Sequence, residues 1–198
     1  MWSYMTDLLR LSLRAPGDAA ARLLATFPGT AAAWQGLVLV TCVSVVLTAL
    51  IQGAMPMMPM EGAATGFGLT PFVYAGLLGV SLVLLAGGMT AAGRVLGGAG
   101  RFGQALALVV WLEVLAMALR LVQGVLILVL PPLAGLVGLA GLVWLFWCLA
   151  RFIQTLHGFS GIGRAVVALF LAFLAIGTGL ALVLALTGLT VQGGLSNV

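Results

Sequence analysis

The sequence predicts an all-α integral membrane protein, in which five transmembrane helices follow an N-terminal amphipathic helical segment at the membrane interface. Two observations predict this fold class. Of the 198 residues, 63% are hydrophobic and only 6% are charged, whereas soluble domains carry about 25% charged residues. The hydrophobic residues also form five runs that reach the length of about 20 mostly apolar residues that a spanning helix needs.

Residues that favour helix ends bound these runs. Thr70 and Pro71 suit the N-cap and the first position of the second span. Pro131 and Pro132 close the third span, and Gly158 ends the fourth. The predicted spans cover approximately residues 32–53, 71–92, 104–130, 133–156 and 162–188.

The arginines predict the orientation. Seven of the eight lie before the first span, between spans two and three, or around the connection of spans four and five. They are Arg10, Arg14, Arg22, Arg94, Arg101, Arg151 and Arg164. Because basic residues accumulate on the cytoplasmic side, we expect a cytoplasmic N-terminus and a C-terminus on the periplasmic or extracellular side. The absence of lysine beside abundant Ala, Gly and Leu hints at a bacterial inner-membrane protein. The arginines are scattered rather than clustered, which argues against nucleic acid as a partner.

The first 30 residues differ in kind from the spans. Apolar residues recur at near-helical spacing opposite charged ones, which predicts an amphipathic helix, and Pro16 begins a second short helix. No apolar signal-peptide core is present in this segment, so we expect the first span to act as an uncleaved anchor. The two helices either lie flat on the inner leaflet or form a docking surface for a partner. The predicted domains are the interfacial segment 1–30, the bundle 31–190 and the short tail 191–198.

Charged residues inside a span are candidates for function. Glu113 and Arg120 lie seven residues apart in the third span, with Gln123 nearby. They share one helix face, but the rise between them of roughly 10 Å argues against an easy direct salt bridge. We therefore expect each charge to pair with a polar group on another helix or subunit, or Arg120 to extend toward the membrane surface. A small-solute or ion transporter component that uses Glu113 and Arg120 is the alternative.

Small residues in spans four and five predict tight packing of these spans, either within one chain or between chains, because they let helix backbones approach in lipid. They are Gly135, Gly138 and Gly141 in span four, and the pairs Ala175/Gly179 and Gly177/Ala181 in span five.

A methionine-rich loop, "AMPMMPMEG" at residues 54–62, is a weak candidate for copper(I), a soft ion that thioethers bind. The candidate ligands are Met55, Met57, Met58 and Met60. Because the loop lacks His and Cys, a lipid-interface loop is the favoured interpretation, and we expect no metal and no cofactor.

Enzymatic chemistry has little support. "HGFSGIG" at residues 157–163 is similar to the serine motif of rhomboid-type proteases, but His157 is the only histidine and precedes Ser160. A nucleophilic serine needs a positioned base, so we expect a turn, in which Gly158 ends one span and Ser160 caps the next. Cys42 and Cys148 lie in apolar runs and are expected to be buried, inert thiols.

Three segments resemble those of bacterial Yip1-domain proteins: "LRAPGDAAARLLATFP", "GGAGRFGQALALVVW" and "WLFWCLARFIQTLHGFSGIGRAVVALFL". The resemblance covers most of residues 9–185 and implies five spans with a cytoplasmic N-terminus. Eukaryotic relatives take part in vesicle trafficking, membrane shaping and contacts with Rab-type GTPases, partners that bacteria lack. Many members have a proline early in the third span, where this chain has "WLEVLAM".

The sequence thus predicts a non-enzymatic protein that organises membrane or binds other membrane proteins. Its expected partners are the lipid bilayer and other membrane proteins or further copies of itself. Five spans do not divide into the two equal repeats that many transporters contain, which disfavours the transport alternative.

Overall fold

The computed structural model describes residues 2–53 and 70–186 and confirms the predicted fold class. Among these residues there are seven α-helices and no strand, and five of the helices are long and apolar enough to cross a membrane. The helices are α1 (Trp2–Arg14), α2 (Pro16–Ala25), α3 (Thr30–Gly53), α4 (Pro71–Val95), α5 (Phe102–Val129), α6 (Pro131–His157) and α7 (Ile162–Leu186).

The helix ends lie within three residues of the predicted bounds. Thr70 caps α4, because its Oγ1 accepts a hydrogen bond from the Val73 N–H at 3.4 Å. Gly158 ends α6 in the left-handed conformation, with φ of 66°. The predicted start of the fourth span at residue 133 is late by two residues. Pro131 begins α6, because a proline at the first helical position removes an N–H that has no partner there.

Helix α5 is the centre of the bundle. It packs against α2, α3, α4 and α6, whereas α7 packs against α4 and α6. In its most apolar window 39% of the residues are buried, against 17% to 28% in the other four spans. The orientation of α5 therefore governs how the other helices sit.

The bundle has an arginine-bearing end, which we define as the end formed by α1, α2 and the α4–α5 and α6–α7 connections. Arg94, Arg101, Arg151 and Arg164 all lie at or within two turns of the helix termini there. Contacts between its parts show that these termini meet. Thr30 at the start of α3 fills the space beside Gly103 of α5.

The two N-terminal helices are amphipathic, as predicted, but their apolar face is covered by protein. Leu8 and Ser12 are fully buried and belong with Ala19 and Ala20 to the interior of the bundle. The Trp111 Nε1–H of α5 donates to Ser12 Oγ at 3.0 Å, and Ser12 Oγ donates to the Leu8 carbonyl at 2.8 Å. This face of the N-terminal helices therefore packs on protein, and their position flat on the inner leaflet stays a prediction.

The buried His157 joins α6 to the α4–α5 connection. Its ring stacks on Phe159 with 5.4 Å between centroids, and its Nδ1 lies 3.2 Å from the Ile153 carbonyl. Gly93 and Gly98 lie so close to the imidazole that a Cβ at either position would overlap it. Glycine is needed here because backbone and ring occupy adjoining space.

Within this chain α6 and α7 contact one another, but not through the predicted glycines, and packing of these small residues between chains stays a prediction. Gly138 and Gly141 face α5, where the side chains of Gln123 and Leu119 fill the space beside them. Gly135, Gly177 and Gly179 have open space, and α7 contacts α6 through larger residues such as Phe146 and Phe173. A single residue, Leu130, joins α5 to α6, so these two helices are obligatory antiparallel neighbours.

We expect Gly93→Ala to lower the free energy of unfolding by about 1–3 kcal/mol, because the added methyl group overpacks the His157 site. Gly76→Ala is the matched control in the same helix, since nothing lies within 4 Å of its Cβ position. That control should be neutral or slightly stabilising, because alanine favours helix. Thermal unfolding in detergent measures both, and adding His157→Ala to Gly93→Ala should recover part of the loss. Equal stabilities of the two single variants would contradict this packing.

Candidate functional site

Glu113 and Arg120 form a direct salt bridge within α5. Arg120 Nη2 lies 2.8 Å from Glu113 Oε1. The expectation that the rise along the helix prevents this contact is wrong. Helical side chains lean toward the N-terminus, so the long Arg120 side chain extends back along α5 toward Glu113.

Ser44 of α3 completes the site and was missed in the sequence. Its Oγ donates to Glu113 Oε1 at 2.8 Å and accepts from Arg120 Nη1 at 2.5 Å. The expectation of a polar partner on another helix is therefore confirmed. A usable signal exists in α3, where Thr41, Ser44 and Thr48 recur at helical spacing within an apolar run. We call Ser44, Glu113 and Arg120 the charge cluster.

Burial within the charge cluster is uneven. Ser44 is fully buried and the Glu113 side chain is only 7% exposed, but the Arg120 side chain is 30% exposed. A buried carboxylate is costly unless it is paired and hydrogen-bonded. Two charge-assisted hydrogen bonds to one Glu113 oxygen meet that requirement and tie α3 to α5.

Gln123 does not join the charge cluster. Its amide lies beside Gly138 of α6, and within residues 2–53 and 70–186 it has no hydrogen-bond partner. The structure therefore brings together two of the three predicted intramembrane candidates. Gln123 marks the contact between α5 and α6 instead.

Two arginines at the arginine-bearing end, Arg94 and Arg151, have local partners other than carboxylates. Arg94 Nε donates to the Gly100 carbonyl at 3.2 Å. Arg151 Nη1 donates to Gln154 Oε1 at 3.0 Å, and its guanidinium lies 4.6 Å from the centroid of the Trp147 ring. Among the described residues, the Glu113–Arg120 pair is the only salt bridge.

The two cysteines differ in burial. Cys148 is buried as expected, but the expectation for Cys42 is wrong, since it is exposed on α3. It lies beside the buried face that carries Val40, Thr41 and Ser44 rather than on it.

Met55, Met57, Met58 and Met60 lie outside the described residues, so the copper hypothesis stays a prediction. The described residues contain no cluster of three or more His, Cys, Asp or Glu side chains with metal-binding geometry.

Five apolar spanning helices around a buried ion pair define the chain as a polytopic α-helical membrane protein. The family model of the Yip1 domain matches residues 10–184, and the chain belongs to this family. The match begins within α1 and ends within α7, so it covers the end of α1 and all of α2 as well as the five spans. Neither a curated protein nor a solved structure matches the chain.

We expect Arg120→Ala to destabilise the protein by about 3–5 kcal/mol, because it leaves a buried carboxylate without its cation. Glu113→Ala should lower the free energy of unfolding less, since the stranded Arg120 is partly exposed. Glu113→Gln should be the mildest of the three, because it keeps the shape and an acceptor oxygen.

Thermal unfolding in detergent ranks these variants. Ser44→Ala should lower the free energy of unfolding by about 1–3 kcal/mol, because it removes a hydrogen bond to a buried charge. Ser81→Ala is its control, since Ser81 is exposed on α4 and bonds only the Leu78 carbonyl. Full stability of both Arg120→Ala and Glu113→Ala would refute the structural role of the cluster.

Proposed function

We propose that this Yip1-domain chain is a non-enzymatic membrane protein that binds other membrane proteins as a complex subunit and thereby organises membrane. The observation that carries the proposal is the charge cluster. Ser44 and Arg120 both bind the Glu113 carboxylate, and this geometry favours a structural tie between helices over a group on a conduction pathway.

The surroundings of the cluster support the same function. A proton or ion path needs polar groups that lead from the buried charge to both surfaces. On α5, Val109 and Leu115 are buried around Glu113, and Gln123 faces α6 away from the cluster. An internally paired site of this kind stabilises the bundle without conducting.

Arg120 supports the partner-binding part of the proposal. Two of its guanidinium nitrogens donate within the cluster, whereas a guanidinium carries five N–H donors. Arg120 lies nine residues before the end of α5, roughly 14 Å along the helix. An arginine at that depth and 30% exposed is costly in hydrocarbon, so an acceptor on a neighbouring membrane protein or a second copy of the chain would stabilise it.

Arginine placement supports the proposed location. We place the arginine-bearing end in the cytoplasm and the C-terminus on the periplasmic or extracellular side of a bacterial inner membrane. The described residues carry one arginine elsewhere, Arg120, and the others gather at this end. That asymmetry is the positive-inside pattern.

The function is tested by comparing assembly with flux in the same protein. Wild-type chain, Arg120→Ala and Arg120→Lys are extracted in mild detergent and analysed by native mass spectrometry, and each is reconstituted for proton-flux measurement. We expect the wild type to run as a complex, Arg120→Ala to lose the associated subunit, and Arg120→Lys to retain part of it. A proton flux in wild-type vesicles that disappears in a stable Glu113→Gln variant would replace this function with transport.

A reporter that is active only in the cytoplasm tests the orientation. Fusions at the N-terminus and near Gly98 should be active, because both lie at the arginine-bearing end. A fusion after Val198 should be inactive, since five spans separate it from the N-terminus. Activity at Val198 would contradict the proposed orientation.

A further inference from the structure

A cavity of about 640 Å³ opens at the arginine-bearing end between the α1–α2 turn and the last turns of α6. It shares no residue with the charge cluster. Its polar lining consists of Arg14, Asp18, Arg151, Gln154 and Thr155, and its aromatic lining of Trp147 and Phe159. The volume is typical of a small-molecule site.

One wall of the cavity is a single face of α6. Trp147, Arg151 and Thr155 are spaced by four residues and therefore align along the helix. They extend over roughly 12 Å, from the helix end toward the membrane interior. Arg151 is held between the Trp147 ring and Gln154 Oε1, so its guanidinium is positioned before any ligand arrives.

The other wall is the α1–α2 turn, which Thr155 holds in place by donating to the Gly17 carbonyl at 3.3 Å. Arg14, the last residue of α1, is exposed and has no salt bridge within the described part of the chain. The negative charge of the Asp18 carboxylate repels a bound anion. Two arginines and one carboxylate leave the lining with a net charge of +1 (2 − 1).

We propose that this cavity binds the phosphate group of an anionic phospholipid. Arg14 and Arg151 donate to the phosphate oxygens from opposite walls, as arginine does in planar recognition of phosphate. Trp147, which is 46% exposed, contacts the glycerol and upper acyl region, where tryptophan is enriched in membranes. That apolar extension favours a lipid over a free phosphate. The site is independent of the proposed protein partner.

The test uses the full-length protein in neutral detergent. Phosphatidylglycerol, phosphatidylcholine and soluble glycerol phosphate are titrated separately, and binding is followed by native mass spectrometry and by the rise in melting temperature. The double variant Arg14→Gln/Arg151→Gln is compared with Arg10→Gln/Arg164→Gln. The control removes the same charge at the same end, and neither of its residues lines the cavity.

We expect phosphatidylglycerol to bind the wild type and the control alike, and the cavity double variant at least about tenfold more weakly, as for the loss of charge-assisted phosphate contacts. Asp18→Asn should bind it more tightly. An unchanged melting temperature of the lipid-free double variant shows that its weaker lipid binding does not result from unfolding. If the double variant fails to fold, the single variant Arg14→Gln, at an exposed position, is compared with the wild type instead. Equal weakening in the control, equal binding of phosphatidylcholine, or equal binding of glycerol phosphate would overturn the proposal.

Discussion

A carboxylate buried in the middle of a membrane helix is costly unless a cation pairs with it and a donor hydrogen-bonds to it. In this bundle Glu113 has both partners. Arg120 reaches it along α5, and Ser44 reaches it from α3. Because α5 contacts three of the other four spans, its rotation sets which of its faces each neighbour meets. Turning α5 by one residue would move Glu113 away from Ser44 and leave a charge unpaired in a low-dielectric interior, where such a group is most costly.

The arginine-bearing end is held by a different means. There the backbone approaches side chains closely, as where Gly93 and Gly98 admit the His157 ring, and buried hydrogen bonds such as that from Trp111 to Ser12 fasten the N-terminal helices. Polar contacts concentrate at this end, whereas α7 presents Phe170 and Leu174 outward. The N-terminal helices are thus part of the folded domain, which agrees with the extent of the family match.

The two charged regions of the chain have opposite character. In the charge cluster, Glu113 and Arg120 neutralise one another, which suits a tie within the bundle and a contact in the membrane plane. In the cavity, Arg14 and Arg151 outnumber Asp18, which suits the phosphate site proposed there. The free energy of a charge depends on its distance from water. Charges inside hydrocarbon are therefore paired, whereas cations at the end of the bundle can lack a carboxylate partner.

The sequence by itself determined the number of spans, their helical class, several helix ends and the family. Hydrophobicity adds up over about 20 residues of one segment, and caps such as Thr70 and Gly158 act within a few residues of their position. Only the tertiary structure decided that Ser44 joins Glu113, that Gly138 faces α5 rather than α7, and that His157 lies among glycines. Each of these depends on which faces of two helices meet. Apolar residues occupy most positions on all sides of each span, so their periodicity does not indicate which face of a helix meets which neighbour.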